Sequence, residues 1–213
     1  MSEPRTKAGA VRAVLPGLLR WHVLDDRIGA DSEAYAVRRG GSLILIDPLP
    51  LTRAAESSLA RRGRVEAICL TGSCHQRSAW RLRRRLGARV LAPRGAEGLE
   101  EAPDDDYGPG PTLPGGLIAV HTPGPTEAHY SFLLPGRPAV LFCADLMINR
   151  GRGALSFIQA QYQDDPARTR QSVRGLLERT FGAICCAHGA PITGGAAVVK
   201  KAIRDALRRD SGD

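Results

Sequence analysis

The chain has 213 residues and a mass of 22.8 kDa, with 43% hydrophobic and 24% charged residues. Such a chain can bury a full core without disulfide or metal staples, and its composition excludes collagen-like, coiled-coil and disordered classes. Thirty basic residues less 22 acidic ones leave a net charge of +8, but the basic set is 27 arginines and 3 lysines, with aromatics at only 5%. That skew, without a zinc-finger or RRM-like pattern, argues against nucleic acid as a partner. No apolar run approaches the roughly 18 residues of a membrane helix. The polar residues 1–10 and the short apolar patch around Pro16 carry no secretory pattern, so the expectation is a cytoplasmic protein that does not engage a membrane. The five cysteines are odd in number. Cys69, Cys143, Cys185 and Cys186 lie in apolar runs and are expected as buried free thiols, with Cys74 in a polar loop and accessible.

Residues 34–37 and 42–46 read as two strands around Arg39-Gly40-Gly41, the second ending in Asp47-Pro48. Residues 1–15 are expected to be flexible. Thr52 can cap a helix running to Ala60, with Gly63 beyond it. Residues 65–70 form a strand, 78–86 a helix with Ala79, Leu82 and Leu86 on one face, and 89–92 a strand, which together make a βαβ unit. Residues 97–114, rich in Asp, Glu, Pro and Gly, read as a long exposed loop. Strands follow at 117–121, 130–134 and 139–143. Asp165-Pro166 is a helix start, with Val173, Leu176, Leu177 and Phe181 on one stripe. Residues 183–187 form a short strand ending in His188-Gly189, and 195–209 the last helix. No linker divides the chain, so one domain, 1–213, is expected.

Five polar clusters stand at strand ends: Asp47, Thr71 to Arg77, His121 to Thr126, Asp145, and His188. In α/β folds such positions gather the chemistry. Their order resembles the metallo-β-lactamase superfamily, hydrolases that include the hydroxyacylglutathione hydrolases. Leu45-Ile46-Asp47-Pro48 resembles the family's opening strand and its Asp. Leu70-Thr71 and the six residues after it occupy the place of the Thr-His-x-His-x-Asp-His metal loop. Thr122-Pro123-Gly124 resembles the segment delivering the next histidine, Phe142-Cys143-Ala144-Asp145 the strand with the bridging aspartate, and His188-Gly189-Ala190-Pro191 the last metal histidine. The resemblance implies a four-layer αββα sandwich, two mixed sheets flanked by helices.

The same resemblance makes the metal centre degenerate. The family's ligand positions fall on Gly72, Cys74, Gln76, Arg77 and Pro125, and only Asp145 and His188 remain as family ligands. Glycine and proline have no donor side chain, and zinc needs at least three good N, S or O ligands. The expectation is therefore no cofactor, and a metal-poor pseudoenzyme that binds a small molecule or serves regulation. The alternative is a hydrolase of esters, thioesters or similar substrates. It would use Asp145 and His188 as acid–base groups, either without metal or with one zinc or other divalent ion held by His75, Asp145 and His188. Cys74, Gln76, Arg77, His75, Asp47, Thr122 and His129 are the candidate cleft residues. Arg77 is expected to pair with Asp145 and so replace the missing cation. The substrate and the oligomeric state, a homo-oligomer included, stay open.

Overall fold

Pro16-Gly17 is a turn signal between two apolar stretches, and it opens the molecule with a hairpin. In the computed structural model, which describes residues 3–210, β1 (Arg12–Leu15) pairs antiparallel with β2 (Leu18–Asp25). Within the segment expected to be flexible, Arg12–Leu15 is paired in this hairpin and Ala8 bridges to Leu51. The chain divides into two units, Met1–Gly108 and Pro109–Asp213.

In the first unit, β2 pairs with β3 (Ala30–Arg39), which pairs with β4 (Ser42–Ile46), all antiparallel. Then come α1 (Arg53–Ala60), β5 (Arg64–Cys69), α2 (Ala79–Leu86), β6 (Arg89–Pro93) and β7 (Asp105–Tyr107). From β4 to β7 every pairing is parallel, giving one seven-stranded sheet in sequence order. The change follows from the connections: parallel neighbours need a crossover, which α1 and α2 supply for β5 and β6 and residues 94–104 supply for β7. Thr52 caps α1, its hydroxyl accepting from Ala55 N at 3.3 Å, and Gly87 ends α2 in the left-handed region. Trp21, Leu45, Leu59, Ile68, Trp80, Leu82 and Val90 form one buried cluster, with the Trp21 indole N–H donating to Leu49 O at 2.9 Å.

Residues 97–114 differ from the expected exposed loop. β7 lies within them, Tyr107 is buried, and Arg83 donates to Asp104 Oδ1 at 2.6 Å and to Ala102 O at 2.9 Å. Arg84 pairs with Glu101, Arg89 with Asp105 and Arg94 with Asp106. Glu101, Asp104, Asp105 and Asp106, which make this stretch look solvated, are counter-charges for Arg83 and Arg84 of α2, Arg89 of β6 and Arg94 after it. Each exposed pair is weak, but together they set where the segment lies.

In the second unit, β8 (Thr112–Leu113), β9 (Leu117–His121), β10 (Tyr130–Leu134), β11 (Val140–Ala144) and, after the β12 (Ile148–Asn149) and β13 (Leu155–Ser156) hairpin, β14 (Ala183–Cys186) form a sheet ordered β14-β11-β10-β9-β8. Only β11–β14 is parallel, and α3 (Pro166–Leu176) lies between them in the chain. Asp165 caps α3, accepting from Arg168 N at 3.0 Å, with Pro166 at the first helical position. The C-terminal helix α4 (Ala196–Asp210) buries Val199, Ile203 and Ala206. Phe181, expected on the α3 stripe, lies beyond the end of that helix, yet is fully buried in the same cluster as Val173, Leu176 and Ile203. Its apolar side chain found the core from the connecting segment instead of the helix.

Candidate functional site

In the first unit the polar groups collect beyond the ends of β4 and β5. Asp47 has a left-handed backbone, φ +47°, uncommon for a residue with a Cβ. Its N–H donates to Cys69 O at 3.2 Å, which ties the two strand ends together. Its carboxylate is buried and accepts from Thr71 N at 2.8 Å and from the Thr71 hydroxyl at 2.6 Å. His75 Nδ1 lies 2.7 Å from Thr71 Oγ1 and 3.1 Å from Asp47 Oδ2. The hydroxyl has one proton and gives it to Asp47, so it accepts from the ring: Nδ1 carries the hydrogen. In the neutral imidazole the lone pair then falls on Nε2, and a carboxylate stands behind the ring to hold this orientation.

Gln76 and Arg77 follow. The Gln76 amide oxygen accepts from Trp80 Nε1 and from Glu100 N, both at 2.7 Å, and its nitrogen donates to Gly98 O at 3.0 Å. The carboxamide is a clasp between α2 and residues 98–100. Arg77 is buried, with φ +35°. Its Nη1 donates to Glu33 O at 2.9 Å and Asp47 O at 3.3 Å, while its buried Nε has no partner among the described residues. Of the cysteines, Cys74 is exposed and Cys69, Cys143, Cys185 and Cys186 are buried, as their sequence settings imply.

Two acids missed in the sequence stand near Arg77. Burial would raise the Asp25 carboxyl, but the hydrogen bonds from Arg27 outweigh it and hold Asp25 below the usual carboxylate range. Glu33 is 3% exposed, and burial pushes it up to about 7, with Arg20 and Arg77 only partly countering. Arg20 Nη1 lies 3.6 Å from Glu33 Oε1, too far for a hydrogen bond. The one sequence signal is an acid opening the apolar run 34–37.

In the second unit the ends of β9, β10, β11 and β14 meet. The Asp145 N–H donates to His129 Nε2 at 3.3 Å, which makes that nitrogen an acceptor and puts the proton on Nδ1. Nδ1 then donates to Thr122 O at 2.9 Å, beside Thr122 Oγ1 at 3.0 Å. Thr122 Oγ1 also meets Ser131 Oγ at 3.1 Å. His129 and Thr122, expected as cleft residues, are buried fixtures that pin three strand ends together. Asp145 leaves β11 after Ala144, whose φ is +48°. Its Oδ1 lies 3.4 Å from His188 Nε2, and both side chains are about one-fifth exposed. Gly189 permits the turn after His188: its φ is +84°, and a Cβ there would stand 2.0 Å from Asn149 O.

The fold therefore unites Asp47, Thr71, His75 and Arg77 in one unit, and Asp145 and His188 in the other. Arg77, expected to pair with Asp145, is bonded within its own unit to the backbone carbonyls of Glu33 and Asp47. Asp145 faces His188. The reason is local: the turn at Asp47 exposes a buried carbonyl that needs a donor, and Arg77 is the donor the chain brings there.

A family model described as the metallo-beta-lactamase superfamily matches residues 12–186. A hydroxyacylglutathione hydrolase of Acidiphilium cryptum is 29% identical over 152 residues, covering 69% of this chain and 59% of the relative. The chain thus spans well under two thirds of that relative's length. Among solved structures, the metallo-β-lactamase FIM-1 of Pseudomonas aeruginosa in its mono-zinc form matches at 15% identity and a TM-score of 0.74, over 99% of both chains. A metallo-β-lactamase family protein of Thermus thermophilus matches at 19% identity and 0.67, over 94% of this chain and 81% of its own. At such identities the structures speak for the fold, and they agree with the family model. With residues 12–186 matched and the fold in agreement, this chain belongs to the metallo-β-lactamase superfamily.

Proposed function

We propose that this member of the superfamily works without a dinuclear zinc centre, as a small-molecule-binding or regulatory protein of the cytoplasm. The observation that carries the proposal is what Gln76 and Arg77 do at two of the family's ligand positions. The Gln76 carboxamide spends both ends on Trp80, Gly98 and Glu100. Arg77 adds a permanent cation whose guanidinium is bound to two carbonyls. Gly72 and Pro125 offer no donor at two further positions. These residues do not fit a dinuclear centre, which needs three or more good ligands for each zinc.

A second reading, hydrolysis of an ester or thioester with one divalent ion or none, is favoured by two arrangements. One is Asp145 against His188 at 3.4 Å. The other is the carboxylate and hydroxyl that fix the His75 ring. An orienting acid behind a histidine is how a general base is held ready. The named activity of the Acidiphilium relative points the same way.

Hydrolysis assays on acyl-glutathione thioesters and simple aryl esters separate the two readings. The proposal expects wild-type rates equal to those of His188→Ala, with and without added zinc. Turnover that is lost in His188→Ala contradicts it and supports the hydrolase.

A further inference from the structure

Cys143 and Cys186 carry thiols that the site does not use. They lie on neighbouring parallel strands, β11 and β14, at the register irregularity between Phe142 and Ala144. Their Sγ atoms are 3.5 Å apart. Both side chains enter the apolar cluster of Val173, Phe181 and Ile203, whereas Cys185, next in sequence, is not part of it. Closing a disulfide from here requires the sulfurs to approach by about 1.5 Å, to the ~2.05 Å of an S–S bond. A side-chain rotation and a small strand shift cover that distance. Each cysteine also stands two residues before a site residue: Cys143-Ala144-Asp145 and Cys186-Ala187-His188.

We propose that Cys143 and Cys186 are a redox-responsive dithiol, oxidised to a disulfide by a peroxide, and that closing this bond moves the Asp145–His188 pair. In the first step one thiolate attacks a peroxide oxygen, giving a sulfenic acid and releasing hydroxide, which takes up a proton. In the second, the neighbouring thiol displaces the sulfenic oxygen as water. Two thiols are oxidised, one hydrogen peroxide is reduced, and two waters leave. Burial keeps the pair from large oxidants and disulfide reagents, so a small peroxide that enters during local opening is the fitting oxidant. The strand ends transmit the change because Asp145 and His188 follow the two sulfurs by only one intervening residue each. The bond does not rest on the proposed function, since it concerns the geometry of β11 and β14 alone.

The experiment treats the full-length native protein with hydrogen peroxide, alkylates remaining thiols under denaturing conditions, and maps peptides without reductant. His188 ring signals are followed by NMR in the same samples. The proposal expects a Cys143–Cys186 cross-linked peptide, a loss of 2 Da reversed by dithiothreitol, and a His188 shift that appears and reverses with it. Cys74→Ala is the background variant, so that the accessible thiol does not divert the oxidant. Cys186→Ala should show neither cross-link nor shift, and Cys143→Ala serves if Cys186→Ala does not fold. Both thiols alkylated in full after peroxide treatment would overturn the dithiol. A cross-link that leaves the His188 signals in place would overturn its coupling to the site. Neither result depends on whether the protein turns over a substrate.

Discussion

Glu33 sits buried on β3, with Arg20 Nη1 at 3.6 Å and one carboxyl oxygen without a hydrogen bond. Burial lifts its pKa from an unfolded value near 4.5 to about 7. Between these values the folded chain holds a proton that the unfolded chain has lost, so stability falls as pH rises through this window. Above about pH 7 the full cost of a buried charge is present. Removing that charge in Glu33→Gln should flatten the pH dependence from pH 5 to 8 and raise stability at pH 8 by up to about 3 kcal/mol. Urea melts at each pH check this, and a parallel slope in wild type and variant would contradict it. At Gln76 the expectation is the opposite. Gln76→Ala orphans the Trp80 indole N–H and the Glu100 amide, at roughly 1–3 kcal/mol for each buried group left unmade. A urea melt should show a loss of about 2–4 kcal/mol, with amide exchange at Glu100 rising first. These two residues also show where sequence reasoning stops. Asp145, His188 and His75 are legible because their chemistry is in the side chain and their place at a strand end. That Gln76 is a clasp, that His129 is a scaffold, or that Arg77 serves carbonyls depends on partners 4 to 44 residues away.

At the scale of elements, the strand ends are held by backbone conformations that few residues adopt. Gly189 combines φ +84° with a Cβ position 2.0 Å from Asn149 O, while Gly29 has φ +65° and open space. Gly189→Ala should therefore prevent folding or lower the melting temperature by 10 °C or more. Gly29→Ala should cost only the ~1–2 kcal/mol of a left-handed non-glycine residue. Thermal melts of the two decide whether close approach or φ governs this turn. Most elements were readable locally. Thr52 and Asp165 announce α1 and α3 through caps that the fold uses as written. Continuous apolar runs announce β4, β9 and β14, and a run broken only by Glu66 announces β5. β7, whose pairing is not local, was not expected: it is three residues of Asp-Asp-Tyr, held by β6 and by arginines on α2, on β6 and just after β6. β1 and β2 differ from β7 in this respect: their pairing is local, around the turn at Pro16-Gly17.

Across the whole molecule the net charge is +8, and the arginine-rich helix α2 is locally neutralised by acids. Arg81, Arg83, Arg84 and Arg85 on α2 pair with Glu3, Asp104, Glu101 and Glu56, and no helix among the described residues is long and apolar enough to cross a membrane. The family model covers most of the chain and the fold agrees, and the proposal made above turns on the loop from Thr71 to Arg77. There Gln76 is an amide clasp and Arg77 a buried guanidinium. The central claim is that this loop leaves no dinuclear centre. Its most direct test is zinc stoichiometry on the full-length protein, purified without chelator, loaded with excess zinc and passed through a desalting column before elemental analysis. The account predicts clearly fewer than two zinc ions per chain after desalting, unchanged in Gln76→Ala. Two retained zinc ions per chain would contradict it.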